Sequence, residues 1–564
     1  MSGTAAVAAA RGGSGAIGAL EIAANQRWPI AGQLVIGLVG LAIGGFYGIL
    51  QALNRIGLDL YPTPIMGRAY YYQGLTIHGV LLAFLFTFAF ANSFLSLTTI
   101  KGFNRPLAST WLLQLSFVTL LLGALLAGYT MFTDQATVLY TFYAPLPASP
   151  LFYLGAALLV VSTWLVSANQ LLTLRSWRRE HPGERIPLLA YMSIMTYLMW
   201  DLASLGVAVE VLFFLLPWSL GWIETIDPEF TRTLFWYTGH AIVYFWLLPA
   251  YVSWYAMIPK QVGGRLPSDA LGRLAFIIFL LFSTPVGVHH QFLDPGIPIF
   301  VKALQMSLTF FVAAGSFITA FTVGAALESG GRARGGKGLL GWIRTLPWDD
   351  PSVTAQLLAM LLFVIGGATG IVNASYTLNL VVHNTAYIPA HFHLTVGTAV
   401  ALTIIGVCYW LVPYFTGRQL AWPGLARLQA WLWAIGMFLF SNGQFVGGLT
   451  GEPRRTMIGN ATYLHLFHWD LANWLTAIGG TILGISGLLF FVVILGTVLA
   501  GAPLAEPVTI PQTDYVHGPE ETWAGFDRLG LWFGLAVALV VLAYGPFLLT
   551  YLPLHPVSPP VKVY

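Results

Sequence analysis

Cysteine occurs once in 564 residues, at Cys408. That single thiol excludes a disulfide, a CxxC pair and any thiolate cluster able to hold zinc, iron–sulfur or a dicopper centre, so a metal bound by this chain must use histidine. Charge is almost as scarce. Only 8% of residues are Asp, Glu, Lys or Arg and 57% are hydrophobic, against a charged share of about 25% in soluble domains, so water is not the chain's main solvent. The net charge of +3 comes with basic residues scattered through loops, which excludes a nucleic acid partner. Residues 1–27 lack the charged start, apolar centre and small-residue cleavage site of a secretory signal. Residues 1–30 are read as an uncleaved cytoplasmic tail.

What the chain has instead is a series of low-charge apolar runs, each long enough to cross a hydrocarbon core of about 30 Å as a helix. Thirteen are predicted, over 33–52, 73–97, 108–132, 147–174, 189–220, 233–258, 270–291, 298–325, 353–377, 387–415, 426–447, 471–500 and 526–551. The expected fold is an all-α polytopic membrane bundle in one domain spanning 1–564. With the N-terminus inside, eighteen of the 25 Lys and Arg residues fall on the cytoplasmic side. Arg68 and Lys562 are among the seven outside. This asymmetry follows the positive-inside rule and sets the topology as N-in, C-out.

Of twelve histidines, six lie within or at the ends of apolar runs, where an ionisable side chain faces the protein interior and marks function. His78 and His240 follow the outer starts of the second and sixth runs, His289 and His290 close the seventh as it reaches the outside, and His391 and His393 open the tenth. All six fall in one layer near the outer face. At 100° per residue, His391 and His393 point about 200° apart and so address two metals on opposite sides of one helix. A flat cofactor held on both faces needs a second imidazole from a facing helix, and His78 is available. His240, His289 and His290 form a set suited to copper, zinc or iron. His465 and His468 read as interfacial.

The segments WYTGHAIVYFWLLPAY (236–251), STPVGVHHQF (283–292), VHNTAYIPAHFHLTVG (382–397), GLTIHGV (74–80) and EPRRT (452–456) resemble subunit I of the haem–copper oxidase superfamily over essentially the whole chain. The resemblance implies His78 and His393 on a low-spin haem, b-type, His391 on a high-spin haem, a-type, and His240, His289 and His290 on one copper. It implies that Tyr244, one helical turn from His240, is bonded to that histidine and supplies an electron and a proton when dioxygen is split. Arg454 and Arg455 would bind haem propionates, with His383 and Asn379 beside them. The implied activity is four-electron reduction of dioxygen to water in a prokaryotic plasma membrane, with electrons from cytochrome c through a subunit II that carries a dicopper centre. A small single-helix subunit and membrane lipid are further expected partners. Nitric oxide reduction within the same superfamily is the alternative; it predicts iron for copper and glutamates nearby.

Departures from the common type narrow the branch. Ala241 and Ile242 stand where that type has Pro-Glu after the helix-six histidine, and no Asp or Glu lies between Arg68 and Asp134, so the usual acid-lined proton channel is missing. In its place, Ser316, Thr319 and Thr322 share one face of the eighth run, and Tyr251 and Tyr255 follow Tyr244 down the sixth. These two stripes predict a single proton path from the cytoplasm, with ordinary Ser/Thr packing as the alternative. The pattern resembles the B-type branch, in which an aspartate can stand at the position of Asn379. Asp201 and Glu210, acids within the fifth run, receive no role.

Overall fold

The computed structural model describes residues 22–61, 69–458 and 468–551; residues 1–21 of the expected tail, Arg68, His465 and Lys562 lie outside them. Among the described residues, thirteen helices are long and apolar enough to span a membrane: α1 Ala24–Asn54, α2 Tyr71–Phe103, α3 Thr110–Phe132, α4 Pro150–Glu180, α5 Leu188–Ser219, α6 Pro228–Gln261, α7 Asp269–Gln291, α8 Ile299–Ala333, α9 Pro351–Ala374, α10 Tyr387–Thr416, α11 Pro423–Leu449, α12 Asp470–Ala500 and α13 Leu529–Leu549. An odd number of crossings places the start of α1 and the end of α13 on opposite faces.

Several helix starts follow from local chemistry. Asp227 accepts the backbone N–H groups of Glu229 (3.0 Å) and Phe230 (3.1 Å) ahead of Pro228. Asp350 does the same for Ser352 (2.7 Å) and Val353 (3.2 Å) ahead of Pro351. An oxygen at the cap satisfies free donors, and a proline in the first turn forfeits nothing. α1 begins at Ala24, inside the stretch read as tail. Hydropathy misses this turn because Gln26 is polar, but its amide is fully used: Nε2 donates to the Leu107 carbonyl (2.8 Å) and Oε1 accepts from the Leu107 N–H (3.0 Å).

Burial ranks the helices. In α6, 89% of the most apolar window is buried, with 83% in α2 and in α10, against 22% in α13 and 28% in α3 and α12. The three innermost helices are those that carry His240, His78 and the His391–His393 pair. Two of them are interrupted by π-helical turns just past the histidines, at Leu81–Phe86 in α2 and Thr395–Val400 in α10; a third such turn, Val211–Leu215, follows Glu210 in α5. An inserted residue of this kind is characteristic of functional positions in helices.

At the cytoplasmic face the loop before α13 is locked down. Arg273, 0% exposed, pairs with Asp269 and Asp527 at 2.6 Å each and donates to the Ile186 carbonyl (2.6 Å), while Thr522 donates to Asp269 (2.9 Å). Alongside, β1 (Leu266–Ser268) pairs in parallel with β2 (Tyr515–His517), Leu266 opposite Tyr515 and Ser268 opposite His517. Removing one partner of a buried ion pair strands the other charge at a cost of about 3–5 kcal/mol. Asp269→Ala is therefore expected to lower the thermal unfolding temperature of the detergent-solubilised protein clearly; an unchanged melting curve would show that the clamp is not a stabilising element.

Candidate metal centre

The seventh span does not deliver its histidines as a continuous helix. The α-helical part stops at Ser283, because Pro285 cannot continue the backbone ladder, and His289 and His290 sit on a 3-10 turn, Val288–Gln291. The break lets the turn approach α6: a Cβ on Gly287 would stand 2.4 Å from the Trp236 carbonyl oxygen and 2.6 Å from the Tyr544 hydroxyl of α13. Gln305 of α8 accepts both freed N–H groups, of Gly287 (3.0 Å) and Val288 (2.9 Å), and its Nε2 donates to the Ala543 carbonyl of α13 (3.3 Å).

This packing gathers the three imidazoles. Ligand nitrogens of His240, His289 and His290 all lie within 4.8 Å of one another. His289 is oriented by Thr309 (Nδ1 to Oγ1, 3.2 Å) and His290 by the indole of Trp236, stacked at 3.8 Å and 7°. The Nε2 atoms of His240 and His290 are buried without a hydrogen-bond partner. Unsatisfied buried nitrogens of this kind are what a bound ion completes, and an all-imidazole set suits copper. The Tyr244 ring lies 5.1 Å from that of His240.

The other three histidines face a cavity of 1480 Å³ that also reaches the first three. His78 and His393 donate from Nδ1 to the carbonyls of Gly44 (2.8 Å) and Pro389 (2.7 Å), which leaves Nε2 of each free for a metal. Their rings are 6.2 Å apart and within 11° of parallel. Two imidazoles bound to opposite faces of one metal, with metal–nitrogen distances of about 2.0 Å, have their centroids about 6 Å apart. The pair therefore fits a bis-histidine haem. His391 points to the other side, its Nδ1 donating to the Gly366 carbonyl (3.0 Å), with Thr369 at 3.1 Å. Gly48 is what lets α1 pass His78, since a Cβ there would lie 2.7 Å from the ring.

Above this layer, Arg454 donates to Asn384 Oδ1 (2.7 and 3.1 Å), and Arg455 lies over the rings of Tyr140 (5.2 Å) and Tyr143 (5.7 Å), with its Nη2 buried and unpartnered. Burial, with Arg455 alongside, pulls the Arg454 guanidinium down to about 10, so a carboxylate placed here would offset the two positive charges. His383 donates to Asn379 Oδ1 (2.9 Å), and burial with Arg454 beside it lowers its pKa to about 4. Arg454, Arg455, His383 and Asn379 all line the cavity.

On the inner side the two hydroxyl stripes meet rung by rung: Tyr251 donates to Ser316 (3.1 Å) and Tyr255 to Thr319 (3.0 Å), with Thr322 buried one turn further in. The cavity wall runs through Tyr244, Tyr251, Ser316 and Thr319. Asp201 accepts from Ser167 (2.5 Å), and both carboxyl oxygens of Glu210 are buried without partners. His468 is exposed. Trp236, Thr309, Gln305 and Gly287 were not singled out in the sequence, although Trp236 precedes His240 by four residues on one helical face and Gln305 is a lone amide in an apolar run.

Residues 30–482 match the family described as cytochrome c and quinol oxidase polypeptide I. The chain belongs to this family. It is 46% identical to cytochrome c oxidase subunit 1 of Thermus thermophilus over 91% of its length and 93% of that protein's. It is 26% identical to cytochrome c oxidase polypeptide 1 of Halobacterium salinarum, with 81% and 76% covered. A solved structure of a heme–copper terminal oxidase dimer superposes with a TM-score of 0.90 at 37% identity, covering 96% of this chain and 95% of that one. Substitution His289→Ala is expected to abolish copper binding in metal analysis while both haem absorbances remain; retained copper would rule out the three-imidazole site.

Proposed function

We propose that the chain is the catalytic subunit of a B-type terminal oxidase of a prokaryotic plasma membrane, which reduces dioxygen to water with electrons from cytochrome c, takes protons from the cytoplasm and pumps protons outward. The observation that carries this reading is the three-histidine group His240, His289 and His290 with the Tyr244 ring 5.1 Å from His240. His78 and His393 would hold the low-spin b-type haem, His391 the high-spin a-type haem, and the three imidazoles one copper. Bound there, the haems and the copper supply electron transfer and the binding and reduction of dioxygen.

The chain's own residues set the direction. Tyr244 stands beside a copper ligand, where its hydroxyl can give up a proton and an electron when dioxygen is cleaved. Protons reach it along Thr322, Thr319–Tyr255 and Ser316–Tyr251, whose paired hydroxyls are spaced for water-assisted transfer. Because the histidine layer lies near the outer face, each proton crosses most of the membrane field, worth about 2.3 kcal/mol per charge per 100 mV. Arg454, Arg455, His383 and Asn379 would neutralise and hydrogen-bond the haem propionates. Subunit II with its dicopper centre delivers the electrons, since a chain with one buried cysteine has no thiolate pair for that centre; a single-helix subunit and annular lipid complete the assembly. Nitric oxide reduction is disfavoured because no Asp or Glu joins the three histidines among the described residues.

Tyr244→Phe is expected to lower oxygen turnover at least about 100-fold, the lower end of what a positioned proton donor contributes, with both haem spectra and the copper content intact; wild-type turnover would refute the role. Thr319→Val is expected to slow proton uptake from the inner side of reconstituted vesicles. Uptake at the wild-type rate would show that the hydroxyl stripes are packing only.

A further inference from the structure

One carboxylate beside the low-spin pocket has no part in the mechanism above. The cavity that the six histidines face is lined by three guanidinium groups, Arg55, Arg454 and Arg455, and by no Asp or Glu among the described residues. Arg55 ends the face of α1 that follows this pocket outward. Gly48, where a Cβ would lie 2.7 Å from the His78 ring, is followed on the same face by Gln51 and Arg55, both on the cavity wall. Seven residues of helix set Arg55 about 10 Å further out along the axis. Its Nη1 donates to Glu452 Oε1 at 2.5 Å, and both side chains are buried, 9% and 1% exposed. Glu452 is held from three sides. Its N–H donates to the Gly447 carbonyl of α11 (2.8 Å), and its carbonyl accepts from Ala386 just before α10 (2.7 Å). Gly447 makes room for the side chain, since a Cβ there would collide with Oε2. That Oε2 is buried with no hydrogen-bond partner, so the carboxylate bonds to Arg55 alone among the described residues.

A guanidinium beside a haem favours the form that holds the extra electron, and a buried charge is screened little by salt. We propose that Glu452 sets the reduction potential of the low-spin haem by cancelling most of the field of Arg55 at the outer edge of its pocket. The assignment rests on the low-spin haem reading given above. Without Glu452, three guanidiniums would face the pocket uncompensated, and an electron arriving there would be held instead of passed to the high-spin side. With it, Arg454 and Arg455 remain for the propionates while Arg55 is neutralised from behind. Glu452 is a positioning residue: it acts through Arg55 and through charge alone, with no bond made and no proton moved. Burial raises its carboxyl above the ordinary range while Arg55 pulls against that shift. Removing the carboxylate is therefore the informative change, because the guanidinium left behind cannot shed its proton. A clamp that only held α1 to the loop between α11 and α12 would be lost with either partner; a field is restored when both charges are removed together.

The test is a redox titration of the whole oxidase complex in detergent that follows the absorbance of the low-spin haem, with the high-spin haem as internal reference. Glu452→Gln is expected to shift the low-spin equilibrium toward the reduced form at least about tenfold, which is about 59 mV for one electron, and to move the high-spin haem by less than a third as much. Glu452→Asp, which keeps the charge, is expected to stay within about threefold of the wild type. Adding Arg55→Gln to Glu452→Gln is expected to bring the low-spin haem back to within about threefold of the wild type. Glu452→Leu, which leaves no polar group to satisfy, serves if Glu452→Gln does not assemble and is expected to shift in the same direction. An unchanged potential in Glu452→Gln, or a shift that the double variant leaves in place, would overturn the assignment alone. A wild type without a low-spin haem spectrum would overturn the haem reading and the assignment with it.

Discussion

Gly287 lies so near α6 that any side chain there would collide with the Trp236 carbonyl oxygen, and this approach governs the rest of the centre. A backbone break at membrane depth exposes amide donors that hydrocarbon cannot satisfy. Here Gln305 takes both, so the chain can turn where a lipid-facing segment could not. From that turn His289 and His290 face His240, and only then do three imidazoles share one point. His78, His391 and His393 need no such break: they sit on α-helical stretches that end in π turns only beyond them, and Gly48, without a Cβ, gives His78 its close passage.

The layer is built with little charge. Its oxygen-bearing neighbours toward the cytoplasm are hydroxyls, and the acids sit mainly at its outer rim or on α5. On the proposed path a proton would meet no fixed carboxylate among the described residues before the three-histidine group, which differs physically from a channel closed by a glutamate. Positive groups, Arg454, Arg455, Arg232 and Lys302, lie on the opposite side. The field across the centre thus runs from neutral hydroxyls within to guanidinium and ammonium groups without, a gradient that draws negative charge toward the outer rim.

Most of the fold was legible because a membrane helix is specified by length and polarity alone, and all thirteen spans were readable. The histidine layer was legible for the same reason, since an imidazole in an apolar run stands out and its distance from the span's end gives its depth. The start of α1 was hidden because its polar turn is satisfied by a partner eighty residues away. The 3-10 turn under His289 was hidden because a hydrophobic window averages over Pro285. Trp236 and Gln305 escaped notice because their work is tertiary: one stacks on a ring from another helix, the other accepts from a broken backbone.

The dependence of the copper turn on α13 also carries a temporal consequence. The carbonyl of Ala543 and the hydroxyl of Tyr544 buttress Gln305 and Gly287, yet both come from α13, the most C-terminal of the thirteen described spans. His78 and His393 can face each other once α10 is in the bilayer. The three-imidazole group has its full support only after α13 has been inserted and docked. Assembly is thereby ordered by the chain itself: the facing His78–His393 pair can form before the three-imidazole group has its buttress.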